Sequence, residues 1–164
     1  MGLATHLGPW LLGTVKNTTG TTAGTIRNTG ATVVEQSATL TFSNTSFTTL
    51  FVLPAGAQIL NFYVDATQAW NGATGQTITI QTSGGTSLAT VGGATTTPLA
   101  IGRQTVTITD ANIATYTNVG TTDVLIQAKL TNAGTAATTG SAVISCTYVV
   151  RNSNGTYQPT AFTS

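Results

Sequence analysis

The sequence predicts an all-β protein, an antiparallel β-sandwich or jelly roll of about eight strands that follows an extended N-terminal arm. One observation is composition: threonine supplies roughly a quarter of the 164 residues, and β-branched side chains favour pleated strands over helices. The other is periodicity. From about residue 31, short segments alternate apolar and polar residues, and turn-forming residues separate them. Strong helix formers other than Ala and Leu are scarce.

Each alternating segment is interpreted as one strand. The run that begins at Ala142 is apolar on both faces, which indicates a strand at the centre of a sheet. One helical turn is expected over residues 110–116, with Asp110 as its N-cap. The expected strands are residues 34–42, 47–53, 60–65, 77–82, 87–91, 103–110, 124–131 and 142–151. The residues expected to line the core are Leu40, Phe42, Leu60, Phe62, Val64, Ile78, Ile80, Val106, Ile108, Val124, Ile126, Ile144 and Tyr148.

The chain divides into an extended arm (residues 1–30), one β-sandwich domain (31–152) and a C-terminal tail (153–164). Glycines and Pro9 interrupt any helix in the arm. Its apolar residues have no periodic partner within the segment, so they must dock on the arm's own sandwich or on a neighbouring protein. We expect the second. The interface candidates are Leu7, Trp10, Leu11 and Leu12, together with the cations Lys16 and Arg27.

The low charge of the chain points to an assembly. Asp, Glu, Lys and Arg make up only 5% of the residues, against a usual share of about 25%, and the mean hydropathy is +0.21. Soluble monomers normally use surface charge to stay apart. We therefore expect other protein to cover much of this surface, in a homo-oligomer. The five basic residues are scattered singly, and no apolar stretch reaches the length of a membrane helix. These patterns argue against nucleic acid and membrane as partners.

No group of residues predicts an active site. The one histidine, His6, lies in the arm without an acid nearby in sequence, so a catalytic triad is not expected. The carboxylates Glu35, Asp65, Asp110 and Asp123 show no pairing or metal-binding spacing. The single Cys146 lies in an apolar run and is expected to be a small buried hydrophobic residue. We expect no enzyme, no metal and no cofactor.

Aromatic residues leave one alternative open. Tyr63 and Trp70, with Phe62, could form a sugar-stacking platform in a carbohydrate- or receptor-binding module of a fibre or a cell surface. Trp70 follows directly after an expected strand, where an aromatic residue more often plugs the end of a sandwich. We favour the plug.

Several short motifs carry a resemblance to a known family. One set is Phe51-Val52-Leu53-Pro54-Ala55-Gly56-Ala57, followed by Val64-Asp65-Ala66 and Ala69-Trp70-Asn71-Gly72. The other is the closing Thr139-Gly140-Ser141-Ala142 before an apolar strand. Together they resemble small virion proteins of tailed bacteriophages over residues 50–150, although position 139 is Thr where the family more often has Ala. The opening residues 2–16 are similar to the start of small head-associated phage proteins.

The resemblance implies a capsid decoration, or cement, protein: a small jelly roll, often trimeric, seated on the capsid exterior and bound to the major capsid protein. Such a protein would assemble in the host cytoplasm and reside in the virion. Pro54 and Gly56 would form a structural corner, because proline lacks the N–H that a sheet requires and glycine permits a turn that a Cβ atom would obstruct.

Overall fold

The computed structural model describes residues 33–93 and 98–150, together with the backbone of two short strands further toward the N-terminus. It is a sandwich of a four-stranded and a five-stranded antiparallel sheet. The strands are β1 (Lys16–Asn17), β2 (Ile26–Arg27), β3 (Val33–Thr41), β4 (Thr48–Leu53), β5 (Ala57–Gln68), β6 (Gln76–Thr82), β7 (Ser87–Gly92), β8 (Gly102–Arg103), β9 (Val106–Ile108), β10 (Val124–Asn132) and β11 (Ser141–Val150).

The strand order identifies the sandwich as a jelly roll. One sheet has the order β3-β11-β5-β8 and the other β4-β10-β6-β7-β9. If β8 and β9 are taken as one bent strand, the first of eight strands pairs with the last, the second with the seventh, the third with the sixth and the fourth with the fifth. This is the pattern of a long antiparallel hairpin wrapped into two sheets. The small pair β1–β2 lies outside both sheets and aligns Lys16 with Arg27.

Two expectations about the middle of the chain need correction. The expected strand 103–110 is divided, because β8 pairs with β5 in one sheet and β9 with β7 in the other. The expected helical turn is present as a 3₁₀ turn over Asp110–Asn112 and helix α1 over Ile113–Thr117. Asp110, however, is not its N-cap. Thr109 precedes the turn in an extended conformation and donates its backbone N–H to Leu88 O at 2.8 Å, so Asp110 falls inside the first turn.

The core lies between the two sheets and contains most of the predicted residues. Val106, Ile108 and Val124 are half-buried and pack against it. The central position of β11 is also confirmed, between β3 and β5. Predicted core residues that are buried are Leu40, Phe62, Val64, Ile78, Ile80, Ile126, Ile144 and Tyr148.

Two core predictions are wrong, Phe42 and Leu60, which are 38% and 46% exposed. β3 ends at Thr41, and the chain turns there as Asn44 accepts the Thr41 N–H on Oδ1 at 2.8 Å, so the alternation does not reach Phe42. At Leu60 the ladder between β5 and β11 shifts by one residue. A β-bulge adds one residue to a strand and reverses the faces beyond it. Ile59 and Phe62 therefore point inward, and Leu60 points outward.

Candidate interaction faces

Residues 33–93 and 98–150 contain no group of three His, Cys, Asp or Glu residues that could hold a metal ion. The helices in this part of the chain are too short or too polar to cross a membrane. Cys146 is fully buried, as predicted, and burial raises the pKa of its thiol to about 12. A neutral, enclosed thiol is unreactive.

The predicted corner at Pro54 and Gly56 is a tight turn that is held by hydrogen bonds to the loop before β10. Ala57 donates its N–H to Pro54 O at 3.0 Å, and Gly56 has a φ of 71°, which favours glycine. Gly56 donates in turn to Gly120 O at 2.7 Å. Asp123 accepts the Ala55 N–H at 3.0 Å, a role that sequence reasoning missed because the two residues lie 68 positions apart. The corner is therefore architectural.

The other motifs of the resemblance meet at the opposite end of the sandwich. Asn71 accepts the N–H groups of Thr138 and Thr139 on Oδ1 at 2.8 and 3.0 Å. Trp70 is 3% exposed and plugs this end, as expected. A Cβ atom on Gly140 would lie 2.4 Å from Trp70 Cγ, so only glycine fits against the indole ring. Because Trp70 is buried, it cannot serve as a sugar platform.

The outer face of the four-stranded sheet carries an apolar patch at the end where β3 begins and β11 ends. Val33 is 58% exposed and pairs across the ladder with Val149. Leu60 bulges from β5 opposite the Thr147–Tyr148 step of β11. The exposed Glu35 follows on the same face of β3, two residues from Val33. These four residues, Val33, Glu35, Leu60 and Val149, are called the β3–β5 patch below.

Further along the same face lies the one ion pair of the described sandwich. Arg103 donates from Nε and Nη2 to the two carboxylate oxygens of Asp65, at 2.5 and 2.9 Å. Its guanidinium also stacks over the Tyr63 ring at 4.7 Å. The hydrogen bond to Asp65 raises the pKa of Arg103 above its ordinary value. Asp65 is thus an ion-paired surface residue, and the ring of Tyr63 is capped rather than open for stacking.

The outer face of the five-stranded sheet is dominated by threonine. Thr79, Thr90 and Thr107 align directly across β6, β7 and β9. Lys129, the partner of Thr79 on β10, is the only charged side chain along this row, and its ammonium lies 4.6 Å from the centre of the Phe47 ring. A flat face with hydroxyl groups and one cation has few charges to desolvate when protein covers it.

The predicted arm interface lies mostly beyond the described residues. Leu7, Trp10, Leu11 and Leu12 are not among them, and Lys16 and Arg27 are described only as backbone partners in the β1–β2 pair.

Comparison with known proteins shows a likeness among solved structures. No protein-family model and no curated protein matches the chain. Among solved structures, it is similar to a chain described as "Cyanophage Pam1 capsid asymmetric unit". The two chains share 17% sequence identity with a TM-score of 0.47, over 81% of this chain and 95% of that chain.

Proposed function

We propose that this protein is a structural virion protein that decorates and stabilises a phage capsid through protein–protein contacts. In this proposal it binds the major capsid protein on the capsid exterior, assembles in the host cytoplasm, and forms a homo-oligomer, with a trimer favoured. It acts without enzymatic activity and needs no cofactor, nucleic acid or membrane.

The observation that carries the proposal is the character of the two outer faces. They are broad β-sheet surfaces rich in hydroxyl and amide groups, with an exposed apolar patch and few charges. Covering such a surface removes apolar area from water at about 25 cal/mol per Å² and leaves few ions to desolvate. The motifs that resemble phage virion proteins support the proposal as well, because they form the two ends of the jelly roll.

The arm residues Leu7, Trp10, Leu11, Leu12, Lys16 and Arg27 are proposed to contribute to these contacts. Leaving the apolar ones in water would forgo roughly 1.5 to 3 kcal/mol for each large side chain. Tryptophan is also among the residue types that most often dominate interface energetics.

Co-sedimentation with capsids that lack the protein tests this function. We expect the purified protein to bind such capsids saturably and to raise the temperature at which they disassemble. A carbohydrate-binding module predicts retention on a glycan array instead. Retention on glycans without capsid binding would contradict the decoration role.

A further inference from the structure

The charges of this protein are divided between the sandwich and its extensions. Residues 33–93 and 98–150 include all four carboxylates of the chain but only two of its five cations, Arg103 and Lys129, which leaves the sandwich with a net charge of −2. The other three cations, Lys16, Arg27 and Arg151, lie outside it, and residues 1–32 contain no acidic residue. The arm is therefore basic as well as apolar.

The β3–β5 patch has the complementary character. Val33 lies two residues from the exposed Glu35 on the outer face of β3, and the exposed Leu60 lies on β5, on the other side of β11. Glu35 has no salt-bridge partner within the described residues. The arm offers a matching sequence, with Leu7, Trp10, Leu11 and Leu12 followed by Lys16. An apolar contact flanked by an opposite-charge pair is a common arrangement of a specific docking site, because the charges set the register.

Two apolar side chains of the patch, Val33 and Leu60, are 58% and 46% exposed, whereas Val149, on β11 between their strands, is buried. β3 is the edge strand of its sheet in the described sandwich. We infer that the β3–β5 patch binds residues 7–16 of a second copy of this chain, with Lys16 of that arm facing Glu35. This inference rests on the proposed function, and it gives the arm a defined partner.

Self-association of the purified protein, measured by sedimentation equilibrium without capsids, tests the inference. Deletion of residues 1–15 should yield a monomer with an unchanged melting temperature, whereas deletion of the tail, residues 153–164, should leave association intact. Leu60→Asp should raise the dissociation constant about ten-fold or more. Ile101→Asp is the matched control, because Ile101 is 69% exposed and lies outside the patch.

Exchanging the charges of Glu35 and Lys16 tests how the arm is aligned on the patch. Glu35→Lys should weaken association about two- to five-fold, as expected for an exposed ion pair. Lys16→Glu should do the same, and the two changes in one chain should restore association.

Three results would overturn the inference. They are a wild-type monomer up to about 100 µM, equal effects of Leu60→Asp and Ile101→Asp, and loss of association on deletion of the tail rather than the arm. A lower melting temperature after arm deletion in a monomeric protein would show that the arm packs on its own sandwich instead. Capsid co-sedimentation is a separate measurement, so self-association through the patch without capsid binding would contradict the decoration role and leave this inference standing.

Discussion

The β-bulge in β5 makes a sharp prediction about two residues that lie two positions apart. A regular strand would place Leu60 and Phe62 on the same face, but the bulge leaves Leu60 46% exposed and Phe62 1% exposed. Phe62 also meets Tyr116 edge-to-face, with ring centroids 6.0 Å apart and an interplanar angle of 86°. Phe62→Ala removes a fully buried aromatic ring and should lower the free energy of unfolding by about 3 to 5 kcal/mol.

Leu60→Ala is the matched control, and it should change the free energy of unfolding by less than about 0.5 kcal/mol, as surface substitutions usually do. Urea unfolding followed by circular dichroism measures both values, at a protein concentration low enough to exclude self-association. The two variants should differ in midpoint and share the wild-type slope, because the surface exposed on unfolding is nearly the same. A loss below about 1 kcal/mol for Phe62→Ala, or an equal loss for Leu60→Ala, would mean that the register of β5 is wrong.

Two further predictions concern tight packing and a buried thiol. Gly140→Ala should lower the free energy of unfolding by about 1 to 3 kcal/mol more than Gly85→Ala does, as measured by thermal unfolding. Both glycines have positive φ, 137° and 88°, but only the Cβ atom at Gly140 would collide with Trp70; equal costs would refute the packing argument. Burial raises the pKa of Cys146 from 9.0 to about 12, so the unfolded chain releases this proton first and stability should fall by up to about 1.4 kcal/mol per pH unit from about pH 9 to 10. Urea titrations of the wild type and Cys146→Ala over this window should show the steeper slope in the wild type, because the buried Tyr116, whose pKa is also raised by burial, adds the same smaller slope to both proteins near pH 10. An equal slope in both would contradict the assignment.

Sequence patterns were sufficient to predict the fold class and most of the strands. Alternation over residues 77–82 and 124–130 places Ile78, Ile80 and Ile126 inside, and the structure agrees. Period-2 patterns are reliable here because a strand with one buried face must alternate. The double-sided apolar character of the last strand likewise indicated its central position, where neighbouring strands flank it on both sides.

Local patterns failed where the backbone departs from regular geometry. Leu60 continues the alternation in sequence, but the bulge reverses its direction. A bulge forms through pairing with a distant strand, here β11, about 90 residues further along the chain, so no short window of sequence contains its cause. Leu88 and Leu99 were missed as core residues for a related reason, because their short segments show little periodicity of their own and are buried by the strands that cover them.

The interaction faces also combine features that the sequence alone indicates with features that only the fold creates. Composition alone indicated a low-charge surface and an arm with apolar and basic residues, because these are properties of residue counts and of local order along the chain. Only the tertiary structure brings Val33, Leu60 and Val149 to one face, pairs Asp65 with Arg103 across 38 residues, and clamps the Pro54 corner with Asp123. Each of these contacts joins segments far apart in the chain. They exist because the jelly roll pairs its first strand with its last, and this long-range pairing is decided by the packing of the whole core.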